Sequence, residues 1–575
     1  MLSSRRILAL LPLLALAACA TSGAPVQGAA NLDGPPGGSG ESAYGLFLAG
    51  QSAINAGHGE TAAAYFSRAA AESGPAADQF LGERTFTAAL LAGDVKEASR
   101  LAPSAPGDDT AIRHLAGLTR AVEAMANDEG AKARAILAGP DVGPPHQAAT
   151  ALLTPFAAAQ AGDAEAAIGN PVIADDPVGQ FFASLDQGKL FERAHRYDEA
   201  ETAFRALIAG GDPGGIASLN LGELLERRGR RPEAVAIYDQ ALARGAADPV
   251  LPTARARAAA GRAAPAAPSL RRSAAEALIA EASILIVQKQ EEVALAYLRL
   301  ALRLDPTRDG AWVLVGDILT DIGDTEAARV AYLTPKPGSE EFVSARSKLA
   351  WTYQSAGDKE QALKVARDMV AAAPSAQDGA TTLADLLRAD ERYADSAKVL
   401  DKLIADQGAH PDWRLLYMRA VDFQESDRWP DAERDLTAAL KQRPDEPELL
   451  NFLGYSWIDR GEKLKQALAM VQKAVDGDPR SGAILDSLGW GYYRLGDYQT
   501  AVDKLETAVV MEAGDPDVNN HLGDAYWKVG RKTEARFQWN RVLSLEPSAK
   551  LKAEVDAKLR DGLDAPVRGP LASGS

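Results

Sequence analysis

Cysteine is nearly absent from this chain: its 575 residues contain one, Cys19. A single thiol can neither build a disulfide framework nor supply a thiolate-rich metal site. Histidine is scarce as well, and His58, His114, His146, His195, His410 and His521 are widely scattered, with no HExxH pair among them. The sequence has no G-x-S-x-G elbow and no G-x-x-x-x-G-K-[ST] phosphate loop. These gaps argue against an enzyme, except for a site assembled from distant parts of the chain, and neither metal nor cofactor is expected. Aromatic residues make up 6% of the chain and period-2 alternation is rare, which leaves an all-α reading. The chain also lacks an apolar run of the roughly 20 residues that a membrane-spanning helix requires.

Positive charge is in deficit, with 62 Lys and Arg against 79 Asp and Glu, a formal charge of −17. Such a body is not expected to bind nucleic acid by releasing counterions, and anionic lipid repels it.

The N-terminus is a different matter. Arg5 and Arg6 precede an apolar run from Ile7 to Leu16, followed by small residues, the pattern of a secretory signal. Leu16-Ala17-Ala18-Cys19 resembles a bacterial lipoprotein box, in which the cysteine is lipidated and becomes the mature N-terminus. Ala20 follows it where an aspartate is absent, which for such lipoproteins implies sorting to the outer membrane, facing the periplasm. The membrane link is then the acyl anchor alone. Losing Arg5 and Arg6 with the leader takes the charge from −17 to −19. Residues 20–42 are rich in Gly, Ser, Pro and Ala and read as a tether that holds the body roughly 25 Å from the membrane.

What the chain has in abundance is repetition. Leu453-Gly454, Leu488-Gly489 and Leu522-Gly523 recur about every 34 residues. Aromatics follow at Trp457, Tyr492 and Tyr526, then alanines at Ala467, Ala501 and Ala535, then prolines at Pro479 and Pro547. A bare Cα on one helix and a methyl on the next let two helices cross closely. The alanine phase extends upstream through Ala432, Ala397, Ala362, Ala328 and Ala294. It reappears at Ala234, Ala200, Ala166, Ala133, Ala98 and Ala63. Gly57-His58-Gly59-Glu60, Ala92-Gly93-Asp94 and Ala161-Gly162-Asp163 read as turns, where glycine ends one helix and an acid starts the next. The N-terminal units lack tryptophan and read as degenerate repeats with thin interfaces, whereas all eight tryptophans fall after residue 300.

Between the two series the phase breaks. Residues 248–273 carry Pro249, Pro252, Pro265 and Pro268 with Arg255, Arg257, Arg262, Arg271 and Arg272, and the prolines forbid a continuous helix pair. This stretch is a solvated linker or a docking site for an acidic partner; the sequence leaves both open. The expected division is a leader at 1–18, lipidated Cys19 and tether at 19–42, a degenerate solenoid at 43–247, a Pro/Arg-rich linker at 248–273, a regular solenoid at 274–560 and a tail at 561–575.

The Leu-Gly, aromatic, Ala, Pro order resembles the tetratricopeptide repeat. That resemblance implies a right-handed α-solenoid of helix-turn-helix units, here about 13 to 14, each stabilised by its neighbours. It also implies a concave groove lined by the first helix of each unit. With Gly454, Gly489 and Gly523 at repeat position 8, the groove set becomes Asn451, Tyr455, Asp459, Asp486, Trp490, Tyr493, Arg494, Asn520, His521, Asp524, Trp527 and Lys528. Exposed Trp, Tyr and Arg are the usual anchors of an interface. Asn451 and Asn520 are placed to bond the backbone of an extended peptide, and Arg494 or Lys528 to hold a carboxylate. The alternative for Trp490 and Trp527 is packing between repeats; Trp312 and Trp457 are expected in the core.

A narrower resemblance rests on Leu450-Asn451-Phe452-Leu453-Gly454-Tyr455, Ile484-Leu485-Asp486-Ser487-Leu488-Gly489-Trp490 and His521-Leu522-Gly523-Asp524-Ala525-Tyr526-Trp527. These look like the outer-membrane lipoprotein adaptors that bind a periplasmic carboxy-terminal processing protease. Membership would imply a non-catalytic scaffold that holds the protease and delivers peptidoglycan hydrolases to it. A scaffold for envelope assembly or polysaccharide export is the alternative, and a repeat-fused glycosyl transferase is disfavoured because repeats fill the chain.

Overall fold

A computed structural model describes residues 42–55, 59–73, 79–104, 109–169, 173 and 176–563. The expected leader, Cys19, nearly all of the tether, and the tail from residue 564 lie outside the described residues. Among those described there are thirty α-helices and no strand. Their N-terminal series is α1 (Ala43–Asn55), α2 (Gly59–Ser73), α3 (Gln79–Ala92), α4 (Val95–Leu101), α5 (Thr110–Ala126), α6 (Gly130–Leu137), α7 (Gln147–Gln160), α8 (Ala164–Ala167), α9 (Pro177–Arg193), α10 (Tyr197–Gly210), α11 (Ile216–Arg227), α12 (Arg231–Ala243) and α13 (Val250–Ala259). The second series is α14 (Leu270–Val287), α15 (Glu291–Leu304), α16 (Asp309–Asp321), α17 (Thr325–Leu333), α18 (Phe342–Ser355), α19 (Lys359–Ala372), α20 (Gln377–Ala389), α21 (Tyr393–Asp406), α22 (Trp413–Glu425), α23 (Trp429–Gln442), α24 (Pro447–Arg460), α25 (Leu464–Gly477), α26 (Gly482–Leu495), α27 (Tyr498–Met511), α28 (Pro516–Lys528), α29 (Lys532–Leu543) and α30 (Ala549–Asp561). Consecutive helices pair antiparallel, giving fourteen pairs with α13 and α30 left single. This is the expected all-α solenoid.

The crossings follow from small residues. A Cβ on Gly454 would meet Val471 Cγ2 at 2.6 Å and the Ala467 carbonyl at 3.1 Å, and one on Gly489 would meet Leu505 Cγ at 2.6 Å. The alanines from Ala294 to Ala535 in the series are all buried. Two N-terminal alanines slip by one position: Ala62 and Ala167 are buried, while Ala63 is half-buried and Ala166 is exposed. In an Ala-rich helix the neighbouring methyl serves equally well, so spacing alone misplaces the contact.

The short turns use glycine and aspartate as expected. Gly93 and Gly162 adopt positive φ, 99° and 83°, and the next residue caps the following helix: Asp94 accepts from the Glu97 N–H and Asp163 from the Ala166 N–H. The 57–60 turn falls partly outside the described residues.

The stretch 248–273 is not a linker throughout. It contains α13, with Pro249 at its N-cap and Pro252 in its first turn, where a missing N–H breaks no intrahelical bond. Helix α13 packs on α11 and α12 and buries Leu251, Ala254 and Ala258. Its Arg257 turns inward to bond Glu226, whereas Arg255 pairs with Asp239 at the surface. Farther on, Arg271 donates to the Ala126 carbonyl.

Nor does this stretch separate two halves. After α13 the chain returns, and α14 packs on α7 and α9 while α15 packs on α3, α4 and α5. Helix α15 is apolar on most of its surface, with Leu295, Leu298, Leu300, Leu302 and Tyr297 all buried. The α14–α15 hairpin is thus a wedge inside the curl of the first array. One continuous core runs from Phe86 through this wedge to Leu387, so the interfaces expected to be thin are completed far downstream, 87 residues on where Lys189 meets Glu276 and 208 where Leu91 meets Arg299. At about 1.5–3 kcal/mol for each fully buried large side chain, the wedge is a principal stabiliser of the N-terminal region.

Candidate functional site

The C-terminal array from α22 to α29 keeps its first helices on the concave side, as position 8 at the crossing requires. Of the expected groove residues, Asn451, Tyr455, Trp490, Tyr493 and Arg494 are half-buried, and Asp459 and Lys528 are exposed. Asp486, Asn520, His521, Asp524 and Trp527 are buried, which corrects their placement on an open wall.

The reason lies in the contact between successive first helices. Asp486 on α26 receives His521 Nδ1 from α28 at 2.9 Å. Burial disfavours the imidazolium, but the Asp486 charge and its hydrogen bond, with Asp524 and Asp517 nearby, outweigh it and raise the His521 pKa. One helix on, Lys558 from α30 donates to Asn520 Oδ1 and Asp524 Oδ2, each at 2.8 Å, and Asp524 Oδ1 accepts from Trp539 Nε1 at 3.0 Å. Trp527 lies between Trp539 and Gly562, where a Cβ on the glycine would come within 2.4 Å of the indole. Helix α30 takes the place of a next first helix and closes this end of the array. Asn520 is therefore not available to a peptide backbone.

Arg494 is also committed. Its Nη1 donates to the Asp459 carbonyl at 2.7 Å, one of the open carbonyls at the end of α24, so it is not the spare cation expected to hold a carboxylate. What remains along α24 and α26 is aromatic. Trp490 stacks on Tyr493 with centroids 4.6 Å apart and planes 8° apart, and on His521 at 4.2 Å and 15°. Tyr455 stands on the preceding helix, its hydroxyl pKa pushed up by burial and then by Asp459, Asp486 and Asp517. Asn451 Oδ1 and Trp490 Nε1 are out of solvent without a hydrogen-bond partner. Among the tryptophans expected in the core, Trp457 is buried, while Trp312 is half-buried and donates to the Pro306 carbonyl.

A profile of the tetratricopeptide repeat matches residues 185–249, 347–412, 417–482 and 487–548. Those segments are tetratricopeptide repeats. TPR repeat-containing protein PA4667 of Pseudomonas aeruginosa is 34% identical to this chain over 113 residues, 20% of this chain and 19% of the relative. The chain thus spans about a fifth of the length of that relative. Among solved structures, the Cut9–Hcn1 hetero-tetramer of the APC/C aligns over 90% of this chain and 96% of its own, with 14% identity and a TM-score of 0.35. MamA AMB-1 aligns over 30% of this chain and 96% of its own, with 18% identity and a TM-score of 0.26.

The tetratricopeptide phase also has a signal that the Leu-Gly pattern misses. Glycine on a first helix faces an aromatic ring sixteen residues later: Gly50 with Phe66, Gly188 with Phe204, Gly222 with Tyr238, Gly316 with Tyr332 and Gly523 with Trp539. Each Cβ would lie between 2.2 and 2.8 Å from the ring. This spacing locates the N-terminal units of Gly50 and Gly188, which carry no Leu-Gly pair, whereas Leu221-Gly222 carries one. His521 was legible as a groove residue but not as the buried partner of Asp486, because that pairing depends on the angle between units. Among the described residues no group of three His, Cys, Asp or Glu side chains is placed to hold a metal, and no helix is long and apolar enough to cross a membrane.

Proposed function

We propose that this chain is a non-catalytic scaffold, tethered by lipidated Cys19 to the periplasmic face of the outer membrane, whose C-terminal groove docks protein segments. The partner that the sequence motifs favour is a carboxy-terminal processing protease, with peptidoglycan hydrolases as the proteins brought to it. The observation that carries the reading is the wall of Tyr455, Trp490 and Tyr493, half-buried on successive first helices of an array that turns Asp486, Asn520 and Asp524 inward. Aromatic side chains at this exposure present large rigid contact area at small entropic cost, as interface anchors do. The Cys19 box and the Gly/Ser/Pro tether support the anchored location.

The deciding experiment is a pull-down from detergent-solubilised envelopes with the full chain, read by mass spectrometry. Recovery of a periplasmic serine protease with cell-wall hydrolases is the expected result. Recovery of export or outer-membrane assembly components without a protease overturns the protease reading in favour of an assembly or export scaffold. Globomycin treatment should leave the precursor unprocessed; processing that continues overturns the lipid anchor.

A further inference from the structure

We infer that the C-terminal groove takes a cationic polypeptide segment, one or more Lys or Arg side chains of an extended partner lying against Trp490 and Tyr493 between the carboxylates of Asp459 and Asp517. This rests on the scaffold reading and names the chemistry of its partner.

The argument starts from what the groove no longer offers. Peptide capture through a carboxylate needs spare cations on the wall, yet Arg494 is bound to the Asp459 carbonyl with its Nη1 4.0 Å from the Asp459 carboxylate, Lys558 is buried between Asn520 and Asp524, and Lys528, exposed at the end of α28, has a partner of its own. The carboxylates are distributed otherwise. Asp459 and Asp517 are exposed on α24 and at the start of α28, flanking α26, which carries the aromatic pair. Asp459, Asp486 and Asp517 all act on the Tyr455 hydroxyl, with Arg494 opposing them, so these groups converge on one region of the wall. Tyr493 and His521 both stack on Trp490, so the π face left to a partner on this wall is that of the half-buried Tyr493 ring, with Trp490 behind it. A π face bordered by carboxylates attracts ammonium and guanidinium groups and repels carboxylates. Two polar atoms await a partner: Asn451 Oδ1, an acceptor, and Trp490 Nε1, a donor, lack one within the chain. An extended backbone brings N–H and C=O groups that can satisfy both after small side-chain rotations, which removes the cost of leaving them unpaired. The chain's net charge of −17 favours encounter with the same class of partner.

The test uses the full chain in neutral detergent and three fluorescein-labelled twelve-residue peptides of Gly, Ser and Leu carrying four Lys, four Glu or no charge, followed by anisotropy at 50 and 300 mM NaCl. The lysine peptide is expected to bind, to quench Trp490, and to bind about tenfold more weakly at the higher salt. The exposed double variant Asp459→Asn with Asp517→Asn should weaken it about tenfold while far-UV helicity stays unchanged, and Trp490→Ala should weaken it further. Equal or tighter binding of the glutamate peptide overturns the proposal. So does lysine-peptide binding that survives the double variant, since attraction to the acidic body as a whole would then explain it. The same double variant separates the two readings in the envelope pull-down. Unchanged recovery of protein partners leaves the scaffold standing and removes the cationic segment, whereas recovery of none from wild type removes the scaffold itself.

Discussion

The two ends of this solenoid use one repeat unit for opposite purposes. From α3 to α9 the concave side is filled by α14 and α15, and the contacts between them span the sequence: Arg303 to Glu123 at 2.7 Å, Arg299 to the Leu91 carbonyl at 3.0 Å, His146 to the Tyr297 hydroxyl at 2.7 Å. From α22 to α28 the concave side stays open, and its polar side chains link one first helix to the next. The difference lies in side-chain size and polarity. Alanines on α5 and α7 allow a second layer of helix to approach and be buried. Tyr455, Trp490, Tyr493 and Asp517 would hold such a layer off or leave charge beneath it. A groove is thus a property of the residues on its wall, and the same fold can supply either a core or a binding face.

If the two regions differ as described, damage at the far end should stay local. Trp539 is fully buried against Gly523 and Asp524, and Trp539→Ala should cost about 3–5 kcal/mol. Hydrogen exchange should lose protection in α26 to α30 while α3 to α9 keep theirs, because solenoid stability is a sum over neighbouring units. Loss throughout the chain would break the comparison.

Damage to the wedge should do the reverse. Leu298 is fully buried on α15, which touches α3, α4 and α5 on one side and α16 on the other. Leu298→Ala should cost about 2–5 kcal/mol and release protection in both neighbourhoods at once. Exchange confined to α14 to α17 would mean that the first array stands without its wedge. A finer version is Glu123→Gln. This carboxyl is held below the usual range by its hydrogen bond to Arg303, with burial opposing. Such a contribution is present above the unfolded carboxylate pKa and is lost as pH falls through the folded value. The variant should lose about 1 kcal/mol at pH 7 and little at pH 3, measured by urea unfolding of the N-terminal region.

Much of this was legible in the sequence, and the limits are physical. The all-α solenoid, fourteen pairs within the expected 13 to 14, and the crossings at Gly454, Gly489 and Gly523 follow from spacing, because a repeat repeats its local contacts. The wedge is not local. Nothing in α15 marks it as the filling for α3 to α5 except that Leu295, Tyr297, Leu298 and Leu302 cover more of the helix than one partner can bury. The groove is similar: Tyr455 and Tyr493 stand half-buried on the wall, Trp490 stacks on His521 of the next unit as the inter-repeat alternative has it, and Asp486, Asn520 and Asp524 are covered by His521 and Lys558 from farther along the chain. Register within a unit is written in the sequence, but the angle between units decides which polar residues meet.

The smallest effect tests that last point. His521 is stacked on Trp490 and bonded to Asp486, and its raised pKa means the folded state holds a proton that the unfolded chain releases near pH 6.5. The stabilisation is complete below pH 6.5 and is lost as pH rises through the folded value. Asp524, Asp517 and Lys558 also face this imidazole or its partners, and elsewhere burial lifts Glu281 to about 7 and Asp422 to about 6, so the wild-type profile alone is a mixture. The difference between wild type and Asp486→Asn isolates the pair. Between pH 6 and 8.5 the thermal midpoint of the C-terminal array should fall in the wild type by no more than about 2 °C beyond its fall in the variant. Trp490 fluorescence should rise over the same interval in the wild type alone, because a neutral imidazole quenches a stacked indole less than a protonated one. Parallel profiles would mean that His521 is neutral in the folded array and that the link between α26 and α28 is an ordinary hydrogen bond. The concave wall would then owe its shape to aromatic packing and not to charge.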